Sequence, residues 1–133
     1  MTILFPDIEK IIVEFLAQRL PEISDPVTDD VRVGTIKTPP GDAQPEKQVV
    51  VTANYTGTGQ VMVRDSTATL EVYANDYSTA SSLGLLVAAI IVGIPGDHVK
   101  SAIVTLGPVR TTEESPAEKR TISVDMMVKG FEI

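Results

Sequence analysis

No cysteine occurs in the 133 residues, and histidine occurs once. The first absence excludes a disulfide frame, a thiolate zinc site, an iron–sulfur cluster and a cysteine nucleophile. The second excludes a multi-histidine metal site. Aromatic residues make up only 5% of the chain, and Tyr55, Tyr73 and Tyr77 are not interleaved with basic residues as a single-strand nucleic-acid face requires. Lys and Arg are the minority charge, 11 against 18 Asp and Glu, giving a net charge of −7 and an isoelectric point near 4.6. That balance argues against the basic face of a sequence-specific DNA-binding domain. The opening Met1-Thr2-Ile3-Leu4-Phe5-Pro6-Asp7 lacks the basic start and long apolar core of a secretory signal, and Asp7 and Glu9 do not suit a transit peptide, so a cytoplasmic product is expected.

What is present is a globular composition, 43% apolar and 22% charged, in a length that suits one domain spanning residues 1–133. Val, Ile and Thr together number 43, about a third of the chain, which favours a sheet. Ile8, Ile11, Ile12, Phe15, Leu16 and Leu20 recur at helical spacing and predict an amphipathic helix over 6–20, with Pro6 at its first position and Pro21 as its stop. Val31 to Ile36 alternates as a short strand. Residues 38–47 carry three prolines and predict a projecting loop. Gln48 to Tyr55 is a strand candidate ended by Gly57-Thr58-Gly59, and Ala68, Leu70, Val72 and Ala74 alternate with Thr69, Glu71 and Tyr73 in the next.

Asn75 to Ser78 offers capping oxygens to a second helix, which ends at Gly93-Ile94-Pro95-Gly96. No charge falls between Asp76 and Asp97, yet the apolar core from Leu83 to Ile94 is short for a bilayer, which needs about 20 residues. The helix is expected to bury one side on the sheet and the other under a neighbour or second layer, with no membrane involved. The chain closes as a hairpin, Val99 to Leu106 returning through a polar stretch, 110–119, into a two-faced strand with Ile122, Val124, Met126 and Val128 on one side. The expected fold class is α+β: a mainly antiparallel sheet with an N-terminal amphipathic helix and a second apolar helix packed on it.

Catalytic equipment is sparse. His98 has Asp97 as its sequence neighbour, which does not place a carboxylate on the ring, and a pocket using these two with a carboxylate from elsewhere is the enzymatic alternative. The pairs Asp29-Asp30 and Glu113-Glu114 fall in expected loops. Gly57-Thr58-Gly59-Gln60-Val61 lacks the third glycine and the helix of a dinucleotide fingerprint, and no Walker-type Gly-Lys-Ser/Thr occurs. No cofactor and no metal are implied, and a structural or interaction role leads.

The layout resembles a known family. Its carriers are Leu4-Phe5-Pro6-Asp7-Ile8-Glu9-Lys10, the strand Val49-Val50-Val51 leading to Gly57-Thr58-Gly59, and Asp65-Ser66-Thr67-Ala68-Thr69-Leu70. The small-residue helix, Gly107-Pro108-Val109-Arg110 and the closing Arg120 to Gly130 complete the pattern. The chain looks like a tail terminator protein of long-tailed, siphovirus-type bacteriophages, in particular those of actinobacterial hosts; another head–tail connector or minor tail protein of the neck shares the layout. It departs from the pattern in lacking a Pro two residues after Asp65 and a Trp in the following strand.

The resemblance implies a virion protein of the tail and neck, assembled in the host cytoplasm and catalysing no reaction. It implies a homohexameric ring that caps the completed tail tube, stops polymerisation and meets the head–tail connector. DNA would pass through its lumen without specific binding, and acidic residues suit a lumen that must not hold phosphates. Self, tail tube protein and connector are the expected partners. The loops 38–47 and 110–119 are the expected contacts, with Pro39, Pro40, Gly41, Asp42, Arg110, Glu113 and Glu114 as candidate assembly residues.

Overall fold

A computed structural model describes residues 2–39, 41–59, 62–111 and 117–133. The elements run β1 (Ile3–Leu4), α1 (Ile8–Arg19), β2 (Arg32–Gly34), β3 (Lys47–Gly59), β4 (Val63–Ala74), α2 (Tyr77–Ile91), β5 (Val99–Thr111), β6 (Glu118–Lys129) and β7 (Phe131–Glu132). Strands β2 to β6 form one sheet in the order β2-β3-β4-β6-β5, and every pairing in it except the parallel β2–β3 pair is antiparallel. The fold is thus α+β, with both helices against the sheet.

The first helix begins two residues later than the proline suggests. Asp7 is the N-cap and its carboxylate accepts the Lys10 N–H at 3.2 Å, so Pro6 lies outside the helix. Pro21 ends the α-helical ladder but not the helical path. Leu20, fully buried, keeps helical dihedrals, and Leu20–Glu22 tighten into a 3-10 turn with Pro21 in its first turn. Ile8, Ile12, Leu16 and Leu20 are buried, while Ile11 and Phe15 lie at the margin of the same stripe.

α1 lies over β2 and β3, and α2 over β4, β6 and β5, the two helices touching along their flanks. Between them and the sheet sit Val49 and Val51 of β3, Leu70 and Val72 of β4, Ile122 and Val124 of β6, and Leu83, Val87 and Ile91 of α2. Burial of this apolar area is the main stabilising term of the fold. Asp76 caps α2, accepting the Thr79 N–H at 2.8 Å. Gly84 lets α2 approach β5 and β6 closely, because a Cβ there would stand 3.2 Å from Pro108 Cβ and 3.4 Å from Arg120 Cβ. Among the described residues no second layer covers α2 from outside: Leu85 is 61% exposed and Val92 46%.

Two strands are longer than their composition suggests. β3 continues through Gly57-Thr58-Gly59, its pairing with β4 shifting between Tyr55 and Gly59 and not ending there. β4 pairs with β6 without interruption from Val63↔Lys129 to Ala74↔Glu118, so the missing Pro and Trp after Asp65 leave this register intact. β5, at the edge, has three register shifts against β6. One surrounds Gly107, whose φ of +94° favours glycine and whose Cβ, if present, would run into the Thr121 carbonyl oxygen. β1 and β7 pair antiparallel and draw the two ends of the chain together. No helix among the described residues is long and apolar enough to cross a membrane.

Candidate assembly surfaces

The two segments expected to project are held differently. Residues 35–46 join the parallel strands β2 and β3, a connection that must cross over, and both ends lie back on the sheet. The Gln48 side-chain oxygen accepts from Thr38 N at 3.3 Å and from Arg32 Nη1 at 3.3 Å, and the Lys37 ammonium stands 4.5 Å from the centre of the Tyr73 ring. The Gln44 amide donates to the Pro39 carbonyl at 2.7 Å and laces the tip, where Pro39, Gly41 and Asp42 are exposed. The segment is a loop with an exposed tip, and its ends are laced to the sheet; Pro40 lies outside the described residues. Under the connection is a cavity of about 340 Å³ whose lining includes Gln48, Tyr73 and Pro45.

Arg110 is not in a loop. It belongs to β5, opposite Arg120 of β6, and donates to both Glu118 carboxylate oxygens, at 3.0 and 2.8 Å. The polar run 110–119 reads as a loop, but its ends are strand because these charges pair across the ladder. Glu113 and Glu114 lie outside the described residues, so of the candidate contacts the structure places Pro39, Gly41 and Asp42 on one connection and Arg110 on the edge strand.

Arg120, which sequence reasoning missed, is 4% exposed. Its guanidinium donates to Glu118 Oε2 at 3.2 Å, Lys119 O at 3.0 Å, Ser81 Oγ at 2.9 Å and Tyr77 O at 3.4 Å. The available signal was Tyr77 and Ser81 four residues apart, one turn of the helix that follows β4. Hydrogen bonds from Arg110, opposed by desolvation and joined by those from Arg120, hold the Glu118 carboxyl below its ordinary value; the same partner holds Arg110 above its own. One strand over, burial raises the Glu71 carboxyl, but hydrogen bonds from Lys119 and Tyr73 and the charges of Lys119 and Lys37 outweigh it and bring the group below the usual range.

The face of the sheet turned away from the helices is partly open. Ile103 opposes Asp125, Leu106 opposes Ser123, Val109 opposes Thr121 and Met127 opposes Ser101, so these four apolar side chains share that face. Ile103 is 63% exposed and Leu106 55%. They form an apolar strip among Ser and Thr at the β5 side.

His98 lies exposed in the turn before β5, where its carbonyl accepts the Lys129 N–H at 2.8 Å. Among the described residues no hydrogen bond or ion pair engages its imidazole, and no group of three His, Asp or Glu is placed to hold a metal ion. Asp97 and the Asp29–Asp30 pair are exposed as well. Comparison with protein-family models gave no match, and comparison with curated proteins gave none either.

Proposed function

We propose that this chain is a structural subunit of a bacteriophage tail: a tail terminator that forms a ring on the finished tail tube, halts its growth and presents a surface to the head–tail connector. The observation that carries the reading is the open outer face of the β5–β6 hairpin, where Ile103, Leu106, Val109 and Met127 stay exposed on a sheet whose other face packs against both helices. An exposed apolar strip on a sheet face marks a protein contact, and a ring needs such contacts. The sequence resemblance supplies the kind of assembly, and an excess of carboxylates suits a channel for DNA.

The test is the mass of the purified chain by light scattering behind a sizing column, with and without isolated tail tubes. A closed ring in solution, or a monomer that becomes a ring on tubes and stops their elongation, is the expected result. A monomer that ignores tubes overturns the reading.

A further inference from the structure

Gln48 lies at the start of β3, directly opposite Tyr73 of β4, and only 3% of it is exposed. Its carboxamide oxygen accepts from Thr38 N and Arg32 Nη1 at 3.3 Å each and from Thr38 Oγ1 at 3.4 Å. These donors fix which end of the amide is oxygen, because a nitrogen in that place would set N–H against N–H. The other end, Nε2, carries two protons and has no hydrogen-bond partner among the described residues. No side-chain polar atom among those residues is both enclosed and unpartnered, so Nε2 is reached from outside, through the cavity that Gln48 lines.

That cavity, about 340 Å³, lies at the lower end of the range for small-molecule sites. Its wall is mostly carbon: Pro39, Pro45, Ala74, Ala117 and the ring of Tyr73, itself 6% exposed. Charge at the site is balanced. Lys37 and Glu46 both line the cavity, and the Lys119 ammonium, 5.7 Å from the centre of the Tyr73 ring, pairs with Glu71 at 2.8 Å. A charged ligand would therefore meet no excess of the opposite sign.

We propose that this cavity is a binding site for a neutral, largely apolar molecule, the size of a single substituted ring, that carries a carbonyl oxygen. The oxygen accepts from Gln48 Nε2, and the carbon body covers the prolines and alanines. The amide selects for the acceptor. An apolar analogue of the same shape takes the same wall but cuts the two N–H groups off from water without a partner. Water is a poor occupant in its place, since a bound water needs several polar partners and this wall offers mostly carbon. The site stands apart from the reading of the chain as a ring subunit, and either holds or fails without the other.

The experiment follows the Gln48 side-chain amide by proton–nitrogen NMR spectra of the full chain, with acetophenone as probe and ethylbenzene as its counterpart lacking the oxygen. The signal is identified as the one that disappears in Gln48→Glu, a variant that keeps an oxygen for Arg32 and Thr38 and removes only the N–H donors. Acetophenone is expected to shift this amide saturably, and ethylbenzene to bind at least about tenfold more weakly. Gln48→Glu should lose at least about tenfold in affinity for acetophenone while its backbone spectrum keeps the wild-type pattern. Ala117→Leu, which narrows the cavity and leaves the amide in place, should weaken both probes. An amide signal that stays fixed up to the solubility limit of acetophenone shows water as the only occupant and overturns the proposal. Equal affinity for the two probes, or for the wild type and Gln48→Glu, shows a merely apolar cleft and overturns it as well. Undiminished binding in Ala117→Leu places the probe elsewhere, with the same consequence. Should Gln48→Glu fail to fold, the comparison of the two probes on the wild type decides alone.

Discussion

The guanidinium of Arg120 stands 4.7 Å from the centre of the Tyr77 ring and donates to the carbonyl of the same residue at 3.4 Å. Arg110, from the neighbouring strand, reaches the same ring at 5.0 Å. The start of α2 and the turn end of the β5–β6 hairpin are thereby tied at one aromatic residue. Cation–ring contact fixes position while Ser81 and Glu118 fix the orientation of the buried charge.

Replacing Arg120 with Met keeps the length of the side chain and removes the charged donors. A loss of about 1.5–3 kcal/mol in unfolding free energy is expected, the range for hydrogen bonds to a charged group. Urea denaturation measures it. Arg120→Lys should recover little, because an ammonium cannot reach strand, helix and carboxylate in one plane. An unchanged midpoint in the Met variant would show that the network contributes nothing net.

Stability should fall on acidification through the carboxylates of Glu71 and Glu118. Both have folded-state pKa values below the ordinary value. Their contribution is therefore complete above the unfolded pKa and is lost as pH falls through the folded one, below about pH 5. Urea midpoints measured across that window should drop less steeply in Glu71→Gln and in Glu118→Gln than in the wild type. Parallel curves for all three proteins would rule out these two groups as the source.

Leu16 and Phe15 separate the centre of the helical stripe from its margin. Leu16 is fully buried, so Leu16→Ala should cost about 2–5 kcal/mol. Phe15 is half-buried, with Arg19 over its ring at 5.7 Å, and truncation there should cost less. Thermal denaturation of the two variants ranks them, and a larger loss for Phe15→Ala would reverse the assignment of the buried face.

The elements legible in the sequence are those where one signal acts alone. The period of α1, a cap for α2 within Asn75 to Ser78 and the alternation of β4 and β6 all needed only local pattern, and the fold class followed. Boundaries failed where tertiary contact overrode a local signal. Burial of Leu20 carries the chain past Pro21, cross-strand pairing keeps Arg110 and Glu118 in the ladder, and β3 passes through a glycine pair that reads as a break. The candidate surfaces were less legible still. Which strands become edges is decided by the β2-β3-β4-β6-β5 order, and no residue of β2 or β5 announces that it will end without a neighbour.

The register shifts of β5 bear on whether further strands can be added to this edge. A straight edge of 13 residues could template strand after strand, and the product would be a fibre of unlimited length. Three interruptions, one at a glycine whose φ is positive, deny an incoming strand a continuous row of matched amides and carbonyls. A contact made at this edge would then rest on side chains, whose shape and charge would set an angle between neighbours. An angle, unlike a ladder, can return to its starting point.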